Sequence, residues 1–371
     1  MKKRYLAVFL SLALALTLTA CGNTSAPASA APSSAAPASS APAPSASSSV
    51  SSADPYANLA PVVLRGADSS GKGAAGQQLG ELVAKKLEKM TNGKLTVEYY
   101  PNAELGGDMD IQQQMLDGTV DYIVLQTAPT VSFVPAVAVF DLPMVFAKYS
   151  GDAIDTVLNK SEFNDAIAKE YAASGMKIMG YLQNATYRLT TSKIKLDTLD
   201  AMKGLRIRTM ENKNHMAFWT ALGAAPTPLA WPEVYLSLQN GTIAAHENAA
   251  DTCATANMQE VQDYLNFTNH ILYLNQFIMS NDKFNSLDPA YQAAIEQAVS
   301  EAIAELRPML ANLDKDSKAL LEKGGMEMVE YPPEFYDQIL ALDGVKALYA
   351  DIDNQVKGLG TTLQTALKAA S

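Results

Sequence analysis

Cysteine is nearly absent from this chain, with two in 371 residues. Cys21 closes an N-terminal leader and Cys253 stands alone in the body, so no internal disulfide is available, and a lone buried thiol is the expectation for Cys253. Positive charge is also scarce. Lys and Arg number 28 against 39 Asp and Glu, for a formal net charge of −11. Three of those basic residues, Lys2, Lys3 and Arg4, belong to the leader, which leaves the body more acidic still. Phosphate binding needs a basic face, so nucleic acid is excluded as a partner. The three histidines, His215, His246 and His270, are far apart and none has a second ligand at zinc-like spacing, so no metal site is expected. Asp351-Ile-Asp353 opens like a calcium loop, but Val356 stands where that loop needs glycine, and a solvated helix face is the better reading. There is no Gly-x-Ser-x-Gly elbow and no Cys–His constellation. No catalytic residue and no cofactor are therefore expected.

Long apolar runs are missing as well, outside the leader. The run from Tyr5 to Leu18 follows the basic start and is shorter than the roughly 20 residues of a membrane span, so it reads as a signal peptide (residues 1–20). It ends in Leu18-Thr-Ala-Cys21-Gly22, which resembles a bacterial lipobox and implies a lipidated Cys21 at the new N-terminus. Through Ala53 the chain is almost entirely Ser, Ala and Pro without charge, too poor in apolar bulk to fold. As a flexible tether it would reach roughly 30 Å.

From Asp54 the composition becomes that of a folded protein, long enough for two lobes. Val62 to Ala67 reads as a strand, Gln77 to Thr91 as a helix with Leu79, Val83 and Leu87 on one face, and Leu95 to Tyr100 as a second strand. A helix from Asp110 to Leu116, strands Val120 to Leu125 and Met176 to Leu182, and a helical stretch from Asp152 to Ala173 follow. Strand–helix–strand repeats of this kind predict an α/β fold with helix-covered sheets. Later come a returning strand, Asn275 to Ser280, and a long helix capped by Asp288-Pro289 and due to kink or end at Pro308. A strand from Met326 to Tyr331 and two helices close the chain.

The loop Gly66-Ala-Asp-Ser-Ser-Gly-Lys-Gly73 sits between strand and helix and is a near miss for a phosphate-binding loop. Gly73 occupies the place of the magnesium-holding Ser or Thr. An exported hydrolase or nucleotidase built on this loop is one alternative reading. The other makes it a loop closing one side of a pocket, with Asp68 and Ser69 as candidate contacts.

The most informative stretch runs from Gly204 to Asn248. Gly204-Leu-Arg-Ile-Arg208-Thr209 alternates, with Leu205 and Ile207 on one side of a short strand and Arg206 and Arg208 on the other. A helix to Leu222, a turn-rich Gly223 to Pro228, a helix entered through Trp231-Pro232-Glu233 and a strand into His246-Glu247-Asn248 follow. In order and spacing, Gly204 to Arg208, Ala221-Leu-Gly-Ala-Ala-Pro-Thr-Pro228, Glu233-Val-Tyr-Leu-Ser-Leu-Gln-Asn-Gly241 and Ala245-His-Glu-Asn248 resemble the DctP family. These are the substrate-binding proteins of tripartite ATP-independent periplasmic (TRAP) transporters. Pro101 to Gly106, Asp121 and Phe140-Asp-Leu-Pro-Met-Val-Phe146 extend the likeness over nearly all of the mature chain, although Ala244 and Ala245 depart from the family's acidic residue and glycine.

The resemblance implies a two-lobed, type II-like periplasmic-binding-protein fold with a long helix crossing both lobes. The lobes are expected at 54–185 with about 274–313, and at 186–273 with about 314–371. It implies that Arg208 clamps a ligand carboxylate through paired donors, and that Arg188 matches a second, more variable ligand arginine. Trp231 and Asn248 match an aromatic wall and a polar contact, and Glu211 and Gln126 fall at pocket positions. Arg206 is read as a surface residue. The implied role is a monomeric lipoprotein, anchored extracytoplasmically at Cys21, that captures an organic acid and passes it to a TRAP membrane permease. A binding protein of an ATP-driven transporter is the remaining alternative.

Overall fold

The computed structural model describes residues 54–371. The leader, Cys21 and the Ser/Ala/Pro tether lie outside the described residues. The first half of the described chain alternates as the period of its apolar residues dictates. It runs through β1 (Val62–Asp68), α1 (Ala75–Met90), β2 (Leu95–Tyr100), α2 (Asp108–Leu116), β3 (Tyr122–Gln126) and the short α3 (Thr127–Thr130). A buried 3-10 segment, Pro135–Asp141, leads to α4 (Gly151–Lys160), α5 (Glu162–Ala173) and β4 (Met176–Leu182). Leu79, Val83 and Leu87, four residues apart on α1, are all buried, and each contributes roughly 1.5–3 kcal/mol of burial. The single helical stretch expected over 152–173 is broken at Ser161, whose Oγ accepts from Phe163 N (3.2 Å) and so starts α5.

The middle of the chain adds β5 (Leu189–Ser192), β6 (Arg206–Thr209), α6 (Lys213–Ala221), β7 (Ala225–Pro228), α7 (Trp231–Gln239), β8 (Ala245–Asn248), α8 (Ala250–Thr255) and β9 (Tyr264–Asn266). It returns through β10 (Asn275–Ser280), α9 (Asn281–Ser286) and α10 (Pro289–Leu306), then continues as α11 (Leu310–Lys323) and β11 (Glu327–Val329). The chain closes with α12 (Pro333–Ala341), α13 (Asp343–Gln355) and α14 (Leu359–Ala369), three terminal helices where two were expected.

Two sheets result, one per lobe. The first has the order β2-β1-β3-β10-β4, parallel except for β10, and the second β11-β9-β5-β8-β6-β7. β7 was expected as a turn because of its prolines. It pairs only with β6, at the sheet edge, where a residue without an N–H does not interrupt a second ladder.

Four chain passages join the lobes among the described residues, the last of them from β11 to α14. Two run antiparallel, with a bridge between Tyr187 and Leu272 and bonds from Arg188 N to Ile271 O (2.9 Å) and Tyr273 N to Thr186 O (2.8 Å). The third is the long helix. α10 lies on α1 and β4, a 3-10 turn at Arg307–Met309 carries Pro308, and α11 lies on α8. The proline thus breaks the ladder without ending the helical path. Across the opposite side, α13 packs on α6 and on the 135–141 segment, and α14 packs on α4 and α5 of the first lobe. No helix among the described residues is long and apolar enough to cross a membrane.

Candidate functional site

The strand ends of both sheets meet at a small cavity. From the first lobe come Ser69 and Ser70 after β1, Asp108 at the start of α2, and Leu125 and Gln126 at the end of β3. From the second come Arg208 of β6, Met210, Trp231 opening α7, Asn248 closing β8 and Thr252 of α8, with Tyr273 from a connecting strand. The cavity measures about 30 Å³. That is water-sized, an order of magnitude below the roughly 300 Å³ of an ordinary small-ligand pocket. The lobes are drawn together over it.

Arg206 and Arg208 share one face of β6, yet Arg206 is exposed and Arg208 is 1% exposed, because only the far end of the strand is covered by the first lobe. Arg208 Nε and Nη2 both donate to Leu229 O, at 2.8 and 2.5 Å, and its Cζ lies 5.8 Å from the centre of the Trp231 ring. Nη1 is buried with no partner, and no carboxylate among the described residues forms an ion pair with this guanidinium. Burial lowers its pKa to about 10, and it stays a cation at neutral pH. A buried, half-bonded guanidinium next to a void is a receptor for an anion that can accept paired hydrogen bonds.

Facing it from the first lobe is Asp108, whose Oδ1 accepts from Ser69 Oγ (2.5 Å). Burial pushes its carboxyl pKa up, against the Ser69 bond and the pull of Arg208. The helix expected from Asp110 starts two residues earlier, at Asp108, which in the sequence looks like an ordinary acid in a first turn. Tyr273 and Thr252, hydroxyl to hydroxyl at 2.6 Å, were also missed, since nothing local marks them.

The other expected residues divide. Gln126, Trp231, Asn248 and Ser69 line the cavity. Asp68 does not: it is fully buried behind the wall, accepting from Ser70 N (2.6 Å) and Tyr99 Oη, and burial raises its pKa to about 7. Glu211 is half-buried outside the lining, its pKa raised by burial and then by Asp108. Arg188 also stands outside. Its Nε and Nη2 bond Glu247 Oε2 and Glu247 O (2.9 Å for the latter), its Nη1 lies 3.4 Å from Gln126 Oε1, and Tyr273 covers its face. Its charge is already matched.

Glu247 is the centre of a buried network linking the lobes. His215 Nδ1 is 3.2 Å from Glu247 Oε1 and its Nε2 3.2 Å from Asp141 Oδ1 in the first lobe. A ring with a carboxylate at each nitrogen is an imidazolium. Burial opposes that charge, but Glu247 and Asp141 outweigh it and hold the pKa up at about 9. Asn212 and Asn214 donate to Asp141 Oδ2 (2.8 and 2.9 Å). His246 is different: burial, then Arg208, lowers it to about 3, and its neutral ring meets Thr191 Oγ1 (2.6 Å) and Cys253 Sγ (3.7 Å). Among the described residues no group of three His, Cys, Asp or Glu side chains is placed to hold a metal ion.

Two other features compete and lose on chemistry. A groove of about 630 Å³ beside the α10–α11 break is larger, but its charges pair among themselves, Arg307 with Asp152 and Lys160 with Asp155. At the glycine loop, the Ala75 N–H that a phosphate would need donates to Asp251 Oδ2 (3.0 Å), and a carboxylate there repels phosphate.

Known proteins resemble this chain in sequence and fold. The sequence model of the family described as bacterial extracellular solute-binding protein, family 7 (DctP), matches residues 70–352. The sialic acid-binding periplasmic protein SiaP of Vibrio cholerae is 28% identical over 251 residues, 67% of this chain and 77% of that one. A TRAP periplasmic solute binding protein from Bordetella bronchiseptica, with density assigned as pantoate, is 27% identical at a TM-score of 0.75, covering 82% of this chain and 98% of the other. The sugar acid binding protein of Advenella mimigardefordensis, in complex with galactonate, aligns at a TM-score of 0.79 over 85% of this chain and all of that one, at 24% identity, a likeness of fold.

Proposed function

Because this chain belongs to the DctP family of TRAP solute-binding proteins, we propose that it captures a hydroxylated organic acid between its lobes and delivers it to a TRAP membrane permease. The observation that carries this is Arg208: buried, held on one edge by Leu229 O, and presenting an unpartnered Nη1 to the cavity. The ligand carboxylate completes its hydrogen bonds and neutralises its charge. Gln126, Trp231 and Asn248 complete the wall around that carboxylate.

Charge supports a narrower class. Arg188 with Glu247, and His215 with Asp141, balance outside the cavity. Inside, Arg208 faces Asp108. A dicarboxylate would set its second charge against Asp108, whereas a hydroxyl donates to it. Sialic acid, galactonate and pantoate, in the names of the relatives, are hydroxylated monocarboxylic acids. The ligand enters when the lobes part about the two crossing strands and the α10–α11 break. In this reading Cys21 carries the lipid that keeps the receptor at the outer face of the cell membrane, and the chain does no chemistry of its own.

A thermal-shift screen of the 54–371 body tests this, since a ligand bound only to the folded state raises its melting temperature. Sugar acids and pantoate are expected to shift it, with succinate and neutral sugars inert. A neutral sugar shifting Tm as strongly in wild type and Arg208→Ala would overturn the reading.

A further inference from the structure

We propose that Asp251 is a latch across the cleft: its carboxylate caps α1 of the opposite lobe when the lobes are closed, and so positions them around the ligand. This rests on the reading that the lobes part to admit an acid.

α1 begins poorly on its own. Ala74 at its N-cap offers no side-chain acceptor, and no acid occupies its first turn. A helix start carries free N–H groups and partial positive charge, which such a side chain normally meets. Here the acceptor arrives from α8, 176 residues away in sequence, where Asp251 Oδ2 takes the Ala75 N–H at 3.0 Å. Asp251 is 5% exposed and burial raises its pKa; the Ala75 N–H of α1 is the largest of the contacts that oppose this, ahead of the backbone of its own helix.

The neighbourhood is built for close approach. A Cβ on Gly71, in the loop before α1, would stand 3.1 Å from Thr255 Oγ1 of α8, so a larger residue there would press the two lobes' elements a few tenths of an ångström apart. Thr252, next to Asp251, lines the ligand cavity and bonds Tyr273 Oη. The cap and the cavity wall are therefore one residue apart on the same short helix. Closing the lobes around a ligand makes the cap, and opening them leaves both α1 and Asp251 to water. Losing a cap of this kind is expected to shift the closed-to-open ratio by about tenfold.

The test compares the full chain with its Asp251→Ala and Asp251→Asn variants by hydrogen exchange and small-angle scattering, without ligand and with the sugar acid giving the largest thermal shift. In Asp251→Ala, amides at the start of α1 are expected to exchange about tenfold faster and the radius of gyration to rise. Asp251→Asn, which keeps an acceptor oxygen, is expected to recover most of both. Unchanged exchange in Asp251→Ala, or faster exchange at an unchanged radius, would overturn the latch and leave ligand capture standing. Wild-type scattering that does not respond to the bound acid would overturn the latch together with the lobe closure beneath it.

Discussion

One edge of the Arg208 guanidinium, Nε and Nη2, is fixed by the single carbonyl of Leu229, at 2.8 and 2.5 Å. That carbonyl orients the fork without neutralising it, and the Trp231 ring 5.8 Å away covers one face. Because a cation over an aromatic face gains about 0.5–2 kcal/mol, Trp231→Leu is expected to weaken acid binding by about threefold to thirtyfold while leaving the ranking of acids intact. Titration calorimetry on a sugar-acid series checks this. A changed ranking would mean that the ring contacts the variable part of the ligand instead.

Asp108 sets the second half of the specificity. Asp108→Asn removes the one acid of the cavity lining, which a second carboxylate would have to meet, and like charges brought together in a closed site cost several kcal/mol. Competition binding should show the variant gaining at least about tenfold for succinate while losing affinity for hydroxylated monocarboxylates. An unchanged preference would remove Asp108 from the account.

His215 makes a prediction about pH. Its pKa, about 9 in the folded protein against roughly 6.5 when unfolded, means that its stabilisation is fully present below about pH 6.5 and is lost as pH rises through 9. Glu247 behaves oppositely: burial opposes its charge, but Arg188 and His215 hold its pKa well below the usual carboxylate range. Its share is present above the ordinary glutamate pKa and lost as pH falls. The unfolding free-energy gap between wild type and His215→Gln is therefore expected to be widest near pH 6, on the order of 3 kcal/mol, and to shrink toward pH 9.5. A gap independent of pH would show the ring to be neutral.

Gly66 gives a check on packing alone. A Cβ there would enter the Tyr122 ring, which stacks on Phe277 with centroids 4.6 Å apart. Gly66→Ala is expected to cost about 1–3 kcal/mol by urea denaturation, and an unchanged midpoint would mean that the ring is free to move.

Much of this was legible in the sequence wherever a single period or motif decided it. β1, β2 and β4 follow from alternating or continuous apolar runs, α1 from Leu79, Val83 and Leu87, and the break in the long helix from Pro308. Arg208 stood out through the run that contains it. What was hidden depends on contacts that local pattern does not encode. Arg188 precedes β5 and Glu247 lies in β8, so the carboxylate that matches its charge arrives only when those strands pair, Thr190 beside Glu247. Asp108 from the first lobe and Tyr273 from a connecting strand line the cavity beside second-lobe residues far from them in sequence. The terminal stretch was expected with the second lobe, yet α14 lies on α4 and α5, because its apolar face, including Leu363 and Leu367, finds its partners there.

The central claim is that Arg208 holds the ligand's carboxylate. Calorimetry of Arg208→Ala with the acid giving the largest thermal shift in wild type tests it most directly. A loss of roughly 3–5 kcal/mol is expected, since a desolvated carboxylate would be left unpaired, which is at least about a hundredfold in Kd. A dissociation constant within a few-fold of wild type would contradict it.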